Sequence, residues 1–310
     1  MNSTIYSTIT ETCVGEMDFR PVSEDDIPLL RCFFDKANSR SNDFSVGGLL
    51  MWVEYFDYEI AVVEDSLIIK GRDPESGKLI FYQPCGTLNI GRYCEMVADF
   101  CAAHNEHGLI LSTSSRNPEE HDDTRSGHCE RVEAWKEYLY DIERFVSFGG
   151  RKMEKKRNHL NFFINNYSPF DIEPISTDNI AELIAFTLAF SSVHADSELA
   201  NYECRHVVGV LHNFDLYPFE GLAIRKDGHI IGYTFGEVIG DTCFVHAEKA
   251  DIAYRGIYQL LAAQMAKLIA GKYPEVRFLN REEDMGDESL RLSKESYHPC
   301  LYIDKNKIEI

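Results

Sequence analysis

The chain lacks several features that would assign it to a class at once. No run of apolar residues approaches the roughly 18 that a membrane-spanning helix needs. Nine cysteines are scattered along it, an odd number with no Cys-x-x-Cys pair, as expected for a cytoplasmic protein. The first ten residues have neither a basic start nor an apolar core. No signal peptide is therefore predicted, and a cytoplasmic location is expected.

One group of potential metal ligands stands on a predicted helix over residues 92–104. Cys94 and Cys101 lie on it, and His104 and His107 follow. A helix sets these four side chains along a line instead of around a tetrahedron, and buried free cysteines are common. No metal site is therefore predicted.

The chain is also poor in positive charge. It has 31 basic and 51 acidic residues, which leaves a net charge of −20. Proteins that neutralise phosphates usually present a basic surface, so this acidity argues against general nucleic-acid binding and against lying on an anionic membrane. A local basic patch could still do either, so the positions of the cations matter.

What the chain does contain is a repeated order of elements. Each half is predicted to hold two helices, three strands, a further helix and a strand, which is typical of a mixed α/β (α+β) fold with a sheet in each half. We predict two tandem domains, over residues 1–134 and 135–310, each a mixed, mostly antiparallel sheet flanked by helices. The last strand is predicted at 300–304.

Positive charge is concentrated on the predicted helix 150–167. Its first two turns carry five cations and one acid, Glu154. Lys156 and Arg157 fall at the edges of the apolar face, so they should lie beside packed structure. The helix is either a solvated basic surface or a seat for a phosphate of a nucleotide, an RNA end or a lipid head group.

A second potential anion site follows the predicted strand 242–249. Arg255 and Gly256 stand at the start of the next helix, where backbone N–H groups and the helix dipole can hold a pyrophosphate. Glycine lets an anion approach the backbone, and arginine can pair with it. The pattern has this meaning only in a strand–turn–helix setting.

The densest group of charges comes after the short predicted strand 276–279. Residues 280–299 contain six acids and three cations. Polar residues that gather where a strand ends are common at the binding and catalytic sites of α/β folds. The alternative is a surface turn held by ion pairs.

Three stretches of the chain resemble the C-terminal domain family of the phosphatidylglycerol lysyltransferases. They are Tyr140-Asp141…Lys155-Lys-Arg-Asn158, Glu248-Lys249…Tyr254-Arg-Gly256 and Asn280-Arg-Glu-Glu-Asp-Met-Gly286…Leu290-Arg291…Lys294…Ser296-Tyr297…Pro299. The second stretch also resembles the acyl-CoA signature of the GNAT acyltransferases. The resemblance covers nearly the whole chain and is most specific in its last stretch.

The resemblance implies two GNAT-like domains in tandem and transfer of an aminoacyl group from aminoacyl-tRNA to a lipid head group or peptide acceptor. Such transfer needs a base or proton relay and donors for the oxyanion. The candidates for catalysis are Glu248, Glu282, Glu283, Asp284 and Tyr297. The candidates for binding substrate or phosphate are Lys155, Lys156, Arg157, Lys249, Arg255, Gly256, Arg281, Arg291 and Lys294.

Two other functions stay open at this point. One is a CoA-dependent N-acetyltransferase with acetyl-CoA as donor, whose cationic acceptor the negative potential would favour. In the phosphate loop of CoA-binding GNATs, a second small residue follows the glycine that Gly256 resembles. This chain has the bulky Tyr258 there, which should obstruct a pyrophosphate. The other is a ligand-binding protein without catalysis, in which each acid is an ion-pair partner. His246, on an apolar strand, is predicted to be a satisfied core histidine. The oligomeric state also stays open.

Overall fold

The protein is built on one large mixed sheet, which a computed structural model describes over residues 17–118, 129–193 and 198–310. The predicted mixed α/β class is confirmed. The strands are β1 Arg20–Pro21, β2 Glu59–Val63, β3 Ser66–Arg72, β4 Leu79–Tyr82, β5 Gly108–Arg116, β6 Glu130–Arg131, β7 Glu137–Asp141, β8 Asp171–Pro174, β9 Phe219–Lys226, β10 His229–Ile239, β11 Thr242–Ala250, β12 Phe278–Glu283 and β13 Leu301–Glu309.

The sheet order is β1-β2-β3-β4-β5-β13-β7-β12-β11-β10-β9-β8, and β6 pairs with β13. Helices flank this sheet. They are α1 Ile27–Ala37, α2 Val46–Leu50, α3 Val53–Phe56, α4 Ile90–His104, α5 Ile142–Ser147, α6 Glu154–Tyr167, α7 Ile180–Val193, α8 Glu198–His212, α9 Ile257–Lys272 and α10 Glu288–Glu295. The basic helix α6 begins later than predicted, and β13 runs well past residue 304.

Both halves contain the same unit of three antiparallel strands, a helix and a strand parallel to the third. In the first half the unit is β2, β3, β4, α4 and β5. In the second half it is β9, β10, β11, α9 and β12. The repeated order predicted from the sequence is therefore present in the structure.

The two units are joined by exchanged strands. The strand β7 follows the first unit along the chain but pairs with β12 of the second, and the C-terminal β13 returns to pair with β5 of the first. The strands β7 and β13 also pair with each other. The sheet is continuous across both halves, so residues from each can reach one site. A domain division at residue 134 stays a prediction.

Local sequence accounts for where several helices begin. Ser23 and Asp26 form a reciprocal capping box ahead of α1. The Asn89 side chain accepts hydrogen bonds from the first N–H groups of α4, and Asp287 does the same for α10. Within the three ranges given above, no helix is both long and apolar enough to cross a bilayer.

Candidate active site

A cleft of about 670 Å³ opens where β11 and β12 part. These two parallel strands pair only between residues 242–244 and 278–280. Beyond this point residues of both strands line the cleft, together with residues of α6, α8, α9, α10 and the first half of the chain. The charged segment 280–299 thus reaches a hollow at the end of a strand, the position at which α/β folds place functional groups.

A β-bulge in β12 lets three consecutive side chains line this cleft. The register with β7 shifts between Asn280 and Glu283, and Glu282 has a left-handed φ of 57°. In a regular strand, neighbouring side chains point to opposite faces, whereas Arg281, Glu282 and Glu283 all border the cleft. Backbone strain of this kind, of order 1–3 kcal/mol, is found mostly at functional sites.

Lys294 of α10 holds the bulge in place. Its Nζ donates to the carbonyl oxygens of Arg281 at 2.5 Å, Glu282 at 3.1 Å and Glu283 at 2.5 Å. Burial lowers the pKa of Lys294 to about 8, although nearby carboxylates oppose the shift. Backbone carbonyls engage all three N–H donors of the ammonium form, which indicates that Lys294 shapes the cleft.

Glu248, Arg281 and Tyr297 form one wall of the cleft. Arg281 Nη2 donates to Glu248 Oε1 at 2.8 Å, and its guanidinium lies 5.0 Å from the centre of the Tyr297 ring. Burial raises the pKa of Glu248 and of Tyr297. The Tyr297 hydroxyl accepts a hydrogen bond from Gln259 Nε2 at 2.8 Å. Tyr297 therefore keeps its proton at neutral pH and can donate it.

Lys156 is a loosely held cation of the cleft. Its Nζ donates to Ser296 Oγ at 2.6 Å and lies 3.6 Å from the centre of the Tyr297 ring. It makes no ion pair with any carboxylate in the described part of the chain. Burial, with Arg281 nearby, lowers the pKa of Lys156 to about 8. A half-buried ammonium with N–H donors to spare suits an oxyanion or a phosphate.

His246 lies between two carboxylates. Its Nε2 is 3.0 Å from Glu237 Oε1, and its Nδ1 is 2.9 Å from Glu282 Oε1. Burial disfavours the charged ring, but the two carboxylates outweigh it and raise the pKa of His246 to about 9. The ring is then an imidazolium that donates from both nitrogens at neutral pH. His246 is buried and satisfied, as its sequence context predicts, and it also borders the cleft and fixes Glu282.

The position of the His246 ring depends on Gly47. A Cβ at Gly47 would lie 2.4 Å from the imidazole, and the Gly47 N–H donates to Glu237 Oε1 at 2.8 Å. We expect Gly47→Ala to push the ring away from its carboxylates and to lower the free energy of unfolding by about 1–3 kcal/mol, measured by urea denaturation. Gly209→Ala, where nothing stands within 4 Å of the added Cβ, is the control and should be neutral or slightly stabilising. Equal losses in both variants would contradict this role of Gly47.

Lys305 of β13 brings three carboxylates together in the wall of the cleft. Its Nζ lies 2.5 Å from Asp43, 2.6 Å from Glu137 and 3.4 Å from Glu283, and its side chain is 1% exposed. Burial, together with the charges of Glu137 and Asp43, raises the pKa of Glu283 to about 8, although Lys305 opposes this. One carboxyl group of this cluster can therefore hold a proton near neutral pH.

The three carboxylates of the Lys305 cluster also have the spacing of a metal site. One oxygen each of Asp43, Glu137 and Glu283 lies within 4.8 Å of the others, and oxygen ligands of this type suit Mg²⁺ or Ca²⁺. The Lys305 ammonium, however, makes ion pairs with all three, so it occupies the place that a metal ion would take. The cluster is better suited to holding a proton than a metal.

The first half supplies an aromatic and apolar wall that was not predicted from the sequence. Its aromatic members are Trp52, Phe56, Tyr58 and Tyr82, and Trp135 joins them from the start of the second half. The hydroxyls of Tyr58 and Tyr82 lie 2.8 Å apart. These rings are spread over distant segments without a motif, so the sequence offers no signal that groups them. Lys305 gave no distinguishing signal either, because a second lysine, Lys307, follows two residues later in the same strand.

The residues predicted from the sequence divide into two sets. Those that line the cleft are Glu248, Glu282, Glu283, Asp284, Tyr297, Lys156, Lys249, Arg281 and Lys294. Those that lie outside its lining are Lys155, Arg157, Arg255, Gly256 and Arg291. Lys249 is paired with Glu203 at 2.8 Å.

Asp284 and Arg291 bind each other. The guanidinium of Arg291 donates to both carboxylate oxygens of Asp284, at 2.8 and 2.9 Å, and the Tyr138 hydroxyl and Gly286 N–H also donate to it. Burial works against the charge, but these hydrogen bonds hold the pKa of Asp284 below its ordinary value. Asp284 therefore anchors the turn before α10, and its lone pairs are engaged.

The corner at Arg255 and Gly256 packs against α6 and does not face the cleft. The Arg255 guanidinium lies 4.7 Å from the centre of the Phe162 ring. A Cβ at Gly256, where φ is 94°, would lie 2.2 Å from the His159 carbonyl oxygen. Glycine is needed here because α9 approaches α6 closely. Arg157 is likewise engaged by a backbone carbonyl just after α5, at 2.7 Å.

Comparison with known proteins decides the family. The sequence profile described as phosphatidylglycerol lysyltransferase, C-terminal, matches residues 34–305. The chain belongs to this family. An uncharacterised protein of Mycoplasmoides gallisepticum is 27% identical over 179 residues, which are 56% of this chain and 56% of that protein. The chain thus spans about half the length of the curated relative that it matches.

Several solved structures share the fold of this chain over nearly all of its length. A conserved protein of unknown function from Bacteroides thetaiotaomicron has a TM-score of 0.82 at 26% identity, over 94% of this chain and 99% of that one. The C-terminal domain of an Agrobacterium fabrum protein named as a lysylphosphatidylglycerol synthetase has a TM-score of 0.63 at 14% identity, over 92% of each. A tandem GNAT protein from the clavulanic acid biosynthesis pathway has a TM-score of 0.51 at 11% identity, over 95% and 98%. The chain therefore has a tandem GNAT-like fold.

Proposed function

We propose that this member of the lysyltransferase family transfers an aminoacyl group from aminoacyl-tRNA to a hydroxyl or amine of a lipid head group or peptide, in the cytoplasm. The observation that supports this most is the charge of the cleft, in which several carboxylates accompany the loosely held Lys156. An aminoacyl ester carries an α-ammonium, which carboxylates bind. Its carbonyl becomes an oxyanion during attack, which an ammonium stabilises. An acetyl group carries no ammonium.

In this proposal Glu283 is the general base. Its pKa of about 8 lies close to the working pH, so it can take the proton of the acceptor's hydroxyl or amine while that atom bonds to the ester carbon. Lys156 stabilises the oxyanion that forms. The bond between the ester carbon and the ribose oxygen of the tRNA then breaks, and Tyr297 gives its proton to the leaving oxygen.

The CoA-dependent alternative has weaker support. It requires an anion beside the backbone at Gly256, where the His159 carbonyl oxygen closes the side on which a Cβ would stand. Tyr258, the bulky residue that follows, lines the cleft. Calorimetry with acetyl-CoA tests this alternative, and tight binding would make it the leading function.

The proposed function is tested with tRNAs that carry a radiolabelled amino acid, together with phosphatidylglycerol vesicles or peptide acceptors. We expect labelled product with the native protein, and a rate about a hundredfold lower with Lys156→Met because the oxyanion loses its donor. Lys267→Met, which removes an exposed cation on α9, is the control and should leave the rate unchanged.

Two outcomes of this assay would contradict the proposal. One is the absence of labelled product with every charged tRNA and every acceptor. The other is that Glu282→Ala and Tyr297→Phe leave every activity and phenotype unchanged while ligand binding persists. That result would indicate a ligand-binding protein without catalysis.

A further inference from the structure

A second concave surface lies next to the cleft, behind the segment that carries Tyr297. This basic groove has a volume of about 620 Å³, and its lining includes Arg144, Lys152 and His298. Tyr297 lines the cleft, and the next residue, His298, lines the basic groove. The His298 Nε2 lies 3.2 Å from the Lys152 carbonyl oxygen, which fixes this wall to the start of α6. A polymer that crosses the wall can therefore occupy both hollows.

Unpaired cations lie in the basic groove and near it along the chain. Arg144 and Lys152 line the groove, and Arg151 and Lys155 lie within three residues of Lys152 in the sequence. The side chains of Arg144, Arg151, Lys152 and Lys155 are exposed, and none of them makes a hydrogen bond or ion pair with a residue in the described ranges. Most other arginines and lysines in the described ranges are paired with carboxylates. Cations left unpaired together, in a protein of net charge −20, indicate an anionic partner.

The acid inside the basic groove does not cancel this charge. The Tyr302 hydroxyl lies 2.9 Å from Glu295 Oε1 and 2.8 Å from Glu295 Oε2, so the carboxylate accepts its hydrogen bond. Glu295 Oε1 also forms an ion pair with Lys136 Nζ, at 3.7 Å. Glu143 and Glu154, the acids next to these cations in the sequence, are exposed to solvent. Among the described residues, the four cations Arg144, Arg151, Lys152 and Lys155 therefore outnumber the three acids named here.

We propose that the basic groove seats the phosphate backbone of the acceptor end of tRNA. In this arrangement Arg144, Arg151, Lys152 and Lys155 pair with phosphates, and the 3′ end crosses the wall at Tyr297 to bring its aminoacyl ester into the cleft. This inference rests on the proposed function, since it assigns a place to the donor. It also gives the predicted candidate Lys155 a role outside the cleft.

The shape of the basic groove favours RNA over an anionic membrane. A bilayer is flat and is bound best where apolar side chains stand among the cations. None of the exposed large apolar residues of the described chain lines this groove. A narrow concave surface instead fits a nucleic-acid backbone, and the remaining negative surface is repelled by a sheet of anionic head groups.

The test compares two double variants that change the net charge equally. Lys152→Glu/Lys155→Glu reverses one cation that lines the groove and one on the adjoining first turn of α6. Arg205→Glu/Lys267→Glu reverses exposed cations on α8 and α9 that line neither hollow. Affinity for uncharged tRNA is measured by fluorescence anisotropy between 50 and 200 mM salt. Affinity for phosphatidylglycerol vesicles is measured by cosedimentation.

We expect the groove variant to bind tRNA about tenfold or more weakly at low salt, with a salt dependence shallower by about two in the log–log slope. Its KM for charged tRNA should rise while kcat at saturation stays native. The control variant should match the native protein in each measurement. Vesicle binding should be weak in all three.

The failure of this inference differs from the failure of the proposed function. If the groove variant kept the native tRNA affinity and KM and still transferred the aminoacyl group, the groove would not be the tRNA site, and the proposed function would stand. Loss of vesicle binding without loss of tRNA binding would also overturn it and would indicate a membrane surface. Groove-dependent tRNA binding without transfer to any acceptor would support the groove and overturn the proposed function. A native protein that neither binds nor uses tRNA would overturn both.

Discussion

Replacing Lys305 with methionine should lower the free energy of unfolding by about 3–5 kcal/mol at pH 8, because it removes the ammonium that pairs with three carboxylates. Asp43, Glu137 and Glu283 would be left close together without their counter-ion. Methionine keeps most of the side-chain volume, so the loss would come from charge and not from a cavity. Urea denaturation measures it.

The pH dependence of this loss identifies its cause. Glu283 has a pKa of about 8 in the folded protein, above the ordinary value of 4.5, so the folded state binds its proton more tightly than the unfolded state. The stability from this group is greatest below pH 4.5 and is lost as the pH rises through 8. Removal of Lys305 makes the stability fall more steeply with rising pH, since proton binding then becomes the way to neutralise the three carboxylates. The difference between Lys305→Met and the native protein should therefore shrink between pH 8 and pH 5.5.

Lys307 provides the matched control for Lys305. It lies on the same strand, and its Nζ is 3.2 Å from Glu130, whose side chain is 73% exposed. Lys307→Met should lower the free energy of unfolding by less than about 1 kcal/mol, as surface ion pairs do. A loss in Lys305→Met as small as in the control, or one that does not vary with pH, would contradict the buried cluster.

The sequence predicted the class of fold because the repeated order of elements is a local property. The apolar runs of β9 to β11 and the helical periodicity of α9 each need only neighbouring residues to be recognised. The exchange of β7 and β13 is a pairing between residues far apart in the chain, for which the sequence carries no local signal. The last strand was predicted to end at 304, so the position of Lys305 inside a strand was missed.

The candidate site was predicted where it depends on one continuous segment. Arg281, Glu282, Glu283, Lys294 and Tyr297 come from the charged segment after β12, and the bulge gathers them at the cleft. Lys156, Glu248 and Lys249 were also predicted, from their own local patterns. The partners from the first half of the chain and from β13 were missed, because only the fold brings them there.

The predicted cations outside the cleft have different partners. Arg157 binds a backbone carbonyl, Arg255 an aromatic ring and Arg291 a carboxylate. A local sequence pattern cannot tell which of these a cation will meet in the fold.

Among the cleft carboxylates, we propose Glu283 as the base because the other candidates are engaged by neighbouring groups. Asp284 is engaged by Arg291 and Tyr138, Glu248 is paired with Arg281, and Glu282 accepts from His246. Among the described residues, the Glu283 carboxylate has only the longer ion pair to Lys305, at 3.4 Å. It is therefore the carboxylate whose proton can be exchanged with the least rearrangement.

We expect Glu283→Gln to lower kcat for aminoacyl transfer by about 10²–10⁴-fold, since the acceptor loses the group that takes its proton. The amide keeps the shape of the side chain, and Lys305 keeps Asp43 and Glu137, so the free energy of unfolding should hold or rise. The native rate should increase as the pH rises through about 8, where Glu283 becomes ionised, and this limb should be absent from the variant. Glu282→Gln, which alters the neighbouring carboxylate, should retain the limb. If Glu283→Gln kept the native pH profile, the proton would have to pass to another group of the cleft.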